Sequence, residues 1–227
     1  RQYVITNTFY ICILVGTLLS LPYVVSSVVI LYSEQSSFRY YEAFVTILLI
    51  FYIEHFALIV ATFVQLRNFS QWRNIRITTF SKNTSFLLVM TLIGAIVYCT
   101  FETLATIEVT ECIEDVPNLS ISKIRSTALM KNILELLTML LQTILIRQAW
   151  HMEKCTDPKK IQTIKRLFGT LCLINLVLWL VISILFDTQT RTMLIEVCFF
   201  GKENWNRIRS GLLPITVFYR FHASMHF

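Results

Sequence analysis

Apolar residues fall in long blocks along this chain, separated by short polar stretches, rather than in strict alternation. Six blocks stand out, at about 9–31, 43–65, 86–107, 127–148, 167–186 and 209–227. Each is close to the ~20 residues that carry an α-helix across a ~30 Å hydrocarbon core. Strands of a transmembrane barrel would alternate over about ten residues, and these blocks do not. The pattern therefore predicts an all-α polytopic membrane protein, one bundle of six transmembrane helices over residues 1–227, without internal repeat or linker. Pro22 interrupts the first block and Pro214 the last, which membrane helices tolerate.

Composition agrees. The chain is 55% hydrophobic and only 15% charged, with mean hydropathy +0.62. A soluble domain carries about a quarter of its residues charged. The net charge of +6 does not indicate nucleic acid, because the basic residues cluster in two short loops. The loop after the second block holds Arg67, Arg73, Arg76 and Lys82 without an acid. The loop after the fourth holds Lys154, Lys159, Lys160, Lys165 and Arg166 against Glu153 and Asp157. The loop after the third opens with Glu108, Glu111, Glu114 and Asp115. The positive-inside rule makes the two basic loops cytoplasmic, and with six spans both ends of this piece are cytoplasmic, with the plasma membrane as the expected location. Trp150 and Trp205 sit at block ends, as aromatic-belt residues do. Asn118 opens an N-x-S sequon on the outer side; Asn68 and Asn83 open sequons on the inner side. The chain begins at Arg1 without an initiator Met, which reads as a fragment of a longer protein.

The polar residues inside the blocks carry the chemistry, since an ionisable group in a membrane span marks a functional site by default. Glu54 and His55 lie near the middle of the second block; being adjacent, they point about 100° apart. Glu102 lies about a turn and a half from the outer end of the third and either lines an external vestibule or reaches the interface. Lys131, Glu135, Thr138 and Gln142 follow at spacings that put all four on one helical face, against protein or water rather than lipid. Asn175 is the strongly polar residue of the fifth block. Tyr219, Arg220 and His222 lie in the sixth, Tyr219 and His222 sharing a face. Lys131, Thr138 and Arg220 are assigned structural polar roles. Glu54, His55, Glu102, Glu135, Gln142, Asn175, Tyr219 and His222 are the candidate pathway residues, Glu102 outermost and Gln142 furthest in.

No nucleophile–base pair, metal cluster or glycine-rich phosphate loop occurs, so an enzyme, a cofactor and a bound metal are not expected. Of the six cysteines, Cys12, Cys99 and Cys172 read as small core residues. Cys112 and Cys198 fall in loops assigned outside, where a disulfide between them is open.

Three stretches carry a resemblance: ELLTMLLQTILI at 135–146, LINLVLW at 173–179 and LLPITVFYRFHAS at 212–224. Together, in successive blocks, they resemble the otopetrin proton channels. The match covers the last three blocks; for the first three it rests on helix count and loop lengths. The resemblance implies a twelve-helix protein in two halves of six, a homodimer in membrane lipid passing protons down their gradient. This piece would be the C-terminal half, its partners protons, the missing N-terminal half and a second copy. A Gln–Asn–Tyr cluster in each half would here be Gln142, Asn175 and Tyr219, meeting where the fourth, fifth and sixth helices are neighbours. Two other readings of the residues stay open: a fragment of a heptahelical chemosensory receptor, and half of a secondary transporter.

Overall fold

The computed structural model describes residues 2–32, 38–69, 79–108, 118–150, 158–185 and 194–226. They form seven helices: α1 (Gln2–Tyr32), α2 (Phe38–Phe69), α3 (Thr79–Glu108), α4 (Asn118–Trp150), α5 (Pro158–Leu185), α6 (Leu194–Phe200) and α7 (Lys202–Met225). The first four contain the first four apolar blocks and run past both ends of theirs, and α5 covers all but residue 186 of the fifth. The extra turns carry most of the polar residues of these helices' ends, among them Gln2, Arg39, Lys82 and Asn118. Hydroxyls inside the spans are absorbed by the helices themselves. Ser20, Thr62 and Thr170 each donate to the carbonyl four residues back, at 2.6, 2.7 and 2.9 Å. No buried donor is left open at those positions.

Five helices contain windows long and apolar enough to cross a membrane: Tyr10–Val29, Glu42–Arg67, Ser85–Glu108, Ser122–Ala149 and Ile161–Ile184. The expected sixth block is different. It begins at Lys202 rather than near 209, and at 24 residues is long enough, but its sequence is too polar to meet the same measure. The reason lies in its inward face. Trp205, Arg209, Leu213, Thr216, Tyr219, Arg220 and Ala223 are all buried, so α7 directs its costly groups at protein.

Around the bundle, α1, α5, α7, α3, α4 and α2 follow one another in a ring that closes α2 against α1; α2 also meets α5, and α4 meets α7, across it. The outside is apolar: Leu14, Leu18, Ile53, Phe86, Met90, Ile93, Met130 and Ile184 are exposed. A contiguous belt of this kind suits lipid, not water. Tight helix approaches use glycine. A Cβ on Gly16 of α1 would overlap Leu173 of α5, and one on Gly94 of α3 would overlap Ile215 of α7.

The short helix α6 was not foreseen; it sits in the connection between the fifth and sixth blocks. Ile195 packs it into a cluster with Val45, Ala105, Ile124 and Ala128, at the end of the bundle where α3 finishes and α4 starts. Gly201, at φ 78°, separates it from α7. That left-handed conformation is open to glycine at little cost. Cys198 on α6 is disulfide-bonded, whereas Cys12, Cys99 and Cys172 are free thiols. Cys112, with which a disulfide was left open, lies outside the described residues. So do most of both basic loops, the acidic loop beyond Glu108, and the side chains of Asn68, Asn83, Asn118 and Trp150.

Candidate functional site

A cavity of about 90 Å³ opens inside the bundle near the α6 end. That is room for several waters. Its polar lining comes from six helices: Tyr23 of α1, Tyr52 of α2, Tyr98, Glu102 and Thr106 of α3, Lys131, Asn132 and Glu135 of α4, Glu196 of α6 and Thr216 of α7. Carboxylates and a cation converge there because α3 and α4, neighbours in the ring, turn their polar stripes toward each other.

From the cavity a chain of charges of alternating sign runs into the bundle. Lys131 Nζ lies 3.2 Å from Glu102 Oε2 and 3.1 Å from Glu135 Oε2. Arg220 Nη2 lies 3.3 Å from Glu135 Oε1. Glu102, Glu135 and Arg220 are buried, and only 14% of the Lys131 side chain is exposed. Two acids and two bases balance, as burial demands, since an unpaired ion there costs several kcal/mol. Polar neighbours extend the chain sideways: Lys131 Nζ donates to Asn132 Oδ1 at 3.0 Å, and Asn132 Nδ2 to Thr106 Oγ1 at 3.4 Å. The Arg220 guanidinium is 5.9 Å from the ring centres of both Tyr52 and Tyr219, and its Nε and Nη1 have no hydrogen-bond partner among the described residues.

Glu196 adds a fifth ionisable group. It is buried against the cavity, and its Oε2 has no partner among the described residues. Burial, then the neighbouring Glu102, push its carboxyl up to about 8. At neutral pH it is therefore held as the neutral acid.

Beyond Glu135 the interior is polar but uncharged. Tyr219 Oη donates to the Met139 carbonyl at 2.8 Å and lies 3.0 Å from Thr143 Oγ1, which itself donates to Met139 at 2.9 Å. This knot pins α7 to α4. Asn175 Nδ2 donates to its own helix, to Leu171 O at 2.8 Å, which leaves Oδ1 without a partner. Neither amide atom of Gln142 has a partner among the described residues. Gln142, Asn175 and Tyr219 are all fully buried. No hydrogen bond joins the three to one another among the described contacts. α4 and α5 are not ring neighbours, although Leu145 and Leu171 belong to one apolar cluster.

The other expected residues separate. His55 points inward, buried beside Phe51 at 6.2 Å between ring centres, with neither ring nitrogen partnered among the described residues. Glu54, one residue earlier, lies on the exposed outer face of α2. Thr138 is buried and donates to Glu135 O at 2.7 Å. His222 is half-buried near the far end of α7, well away from the cavity. Sequence reasoning missed Tyr52, Thr106, Asn132, Thr143 and Glu196. Asn132 had a signal, its place beside Lys131; Glu196 had none, lying outside every apolar block.

Cys99, Glu102 and Glu135 bring their ligand atoms within 4.8 Å of one another. This donor set does not suit a metal ion, because the Lys131 ammonium already stands between the two carboxylates. No curated protein and no solved structure matches the chain. The family model described as Otopetrin matches residues 9–221, which include every residue of the charge chain, the cavity and the buried amides, and the chain belongs to the otopetrin family.

Proposed function

We propose that this chain is a subunit of a proton-selective channel, passing protons across a membrane down their gradient. Family membership supports the class. The observation that carries the reading is the buried sequence Glu102, Lys131, Glu135, Arg220 at the base of a polar cavity. Protons travel over hydrogen-bonded water and titratable groups, so they need polar atoms at successive depths. Glu196, held protonated, is the outer donor and Glu102 the outer acceptor. A proton arriving on Glu102 releases the Lys131 ammonium to Glu135 alone; when it moves on, the original pair re-forms. The unpartnered amide atoms of Gln142 and Asn175 then hold water in an otherwise apolar stretch, since a buried polar atom without a partner costs about 1–3 kcal/mol. Lys131 and Arg220 repel hydrated metal cations, which gives selectivity for protons over Na⁺ or K⁺.

In this reading α7 is the sixth span, and both ends of the chain are cytoplasmic. The basic loops after α2 and α4 and the disulfide at Cys198, on the oxidising side, support that orientation. Glu54 sits at mid-span on the outer face of α2, where lipid would penalise it. A second six-helix half, or a second copy in a homodimer, supplies its polar neighbour. The test is Glu135→Gln. At equal surface amount, acid-evoked proton flux falls by at least about tenfold, the share of a positioned proton-transfer group. Flux equal to wild type would remove the charge chain from the pathway.

A further inference from the structure

The cavity at the α6 end gathers three carboxyls, Glu102, Glu135 and Glu196, from α3, α4 and α6. Two cations answer them. Lys131 stands between Glu102 and Glu135, and Arg220 takes the other oxygen of Glu135. Glu196 is left over. It is buried, it lines the cavity, and its Oε2 has no hydrogen-bond partner among the described residues. Around the same space α3 presents Tyr98 and Glu102, and α4 presents Lys131. The first two helices add Tyr23 and Tyr52. Helix α7 meets the cavity with Leu213 and Thr216, its buried Arg209 lying outside the lining. With Glu196 ionised, the charges of this group balance only if one more cation enters.

The geometry points to a binding site in this cavity for a small organic cation of the guanidinium class, paired edge-on with the Glu196 carboxylate. The chain supplies its own precedent. The Arg220 guanidinium is held by one carboxylate, Glu135, and lies 5.9 Å from the ring centres of Tyr52 and Tyr219. The α6 side of the cavity offers the same kind of set in Glu196 and Tyr98. A planar guanidinium pairs bidentately with a carboxylate, stacks on aromatic rings and sheds water more readily than an ammonium. At about 90 Å³ the cavity holds about three waters by their share of liquid volume, the room such a group displaces. Binding is an exchange: the cation enters, the Glu196 carboxyl gives its proton to solvent, and the net charge of the cavity is unchanged. Lys131 and Arg220 close the way further in, so the cation binds and is not passed. Under the channel reading it then competes with protons for the entry group; the site itself does not depend on that reading.

The test is binding without flux, so its failure and that of the channel reading are distinguishable. Purified full-length protein in nanodiscs is titrated with methylguanidinium, and saturation transfer to the methyl protons is read by NMR. Wild type should bind, with affinity rising about tenfold from pH 6 to pH 7 and levelling above about 8, where the Glu196 carboxyl gives up its proton unaided. Glu196→Gln keeps the shape of the neutral acid. It should weaken binding at least about thirtyfold, the lower end of what losing one partner of a buried charge pair costs, and remove the pH dependence of what remains. Glu196→Asp, which keeps the charge on a shorter arm, should retain pH-dependent binding, and unchanged elution profiles check that both variants fold. Saturation transfer to wild type at pH 8.5 no greater than to empty nanodiscs overturns the site. Equal binding by wild type and Glu196→Gln, or wild-type binding that ignores pH, does the same.

Discussion

Lys131→Met puts the charge chain under the most direct load. The ammonium faces two carboxylates at 3.2 and 3.1 Å. At an effective dielectric of about 20, each pair is worth roughly 5 kcal/mol before desolvation is subtracted. Much of that offsets the cost of burying the three ions, so the net loss on removing the shared cation is about 3–5 kcal/mol. The loss is unequal between the two acids. Glu135 keeps Arg220 at 3.3 Å, whereas Glu102 keeps no cation among the described residues. Most of the damage therefore belongs to Glu102, and neutralising it should restore stability. We expect Lys131→Met with Glu102→Gln to regain at least about 2 kcal/mol over Lys131→Met alone. The assay is unfolding by SDS in mixed micelles, for wild type, both single variants and the double variant, read as a double-mutant cycle. Losses that add within about 0.5 kcal/mol would show that the two side chains do not share an interaction and would refute the chain.

Two further outcomes follow from the packing and from α6. Gly94→Ala places a Cβ on Ile215 at the α3–α7 contact, and thermal stability in detergent should fall by about 1–3 kcal/mol; an unchanged melting point would mean that α3 and α7 sit further apart. Glu196 has a folded-state pKa near 8, above its unfolded value, so its contribution to stability is full below about pH 4.5 and is lost as pH rises through 8. Glu196→Gln, which keeps the neutral shape, should flatten the decline in melting temperature between pH 5 and 9, and an equally steep decline would place the carboxyl in contact with solvent.

The sequence made some of this legible for physical reasons that differ from residue to residue. Spacing placed Lys131, Glu135, Thr138 and Gln142 on one face, and in a membrane span a polar face has only the interior to turn to. Adjacency could not decide between Glu54 and His55: side chains about 100° apart meet different neighbours, and which of them turns inward depends on how α2 is rotated against the bundle, which its own sequence does not encode. Helix α7 defeated a hydropathy reading at its start, because Lys202, Asn204 and Arg207 open a helix that only Gly201 delimits. Helix α6 and Glu196 were invisible, since seven residues in a connecting segment carry no period long enough to detect. The pairing of Glu102 with Lys131 needed the α3–α4 register, which no spacing within either helix encodes.

The central claim is that the polar path through this bundle carries protons and not metal cations. The direct measurement is ion flux through the purified full-length protein in liposomes loaded with a pH-sensitive dye, under an inward proton gradient with potassium and valinomycin to dissipate charge. The account predicts rapid acidification that is unchanged when external Na⁺ is replaced by a large organic cation, and that is lost in Glu135→Gln. Acidification no faster than in empty liposomes, or flux that follows Na⁺ in place of protons, would contradict it.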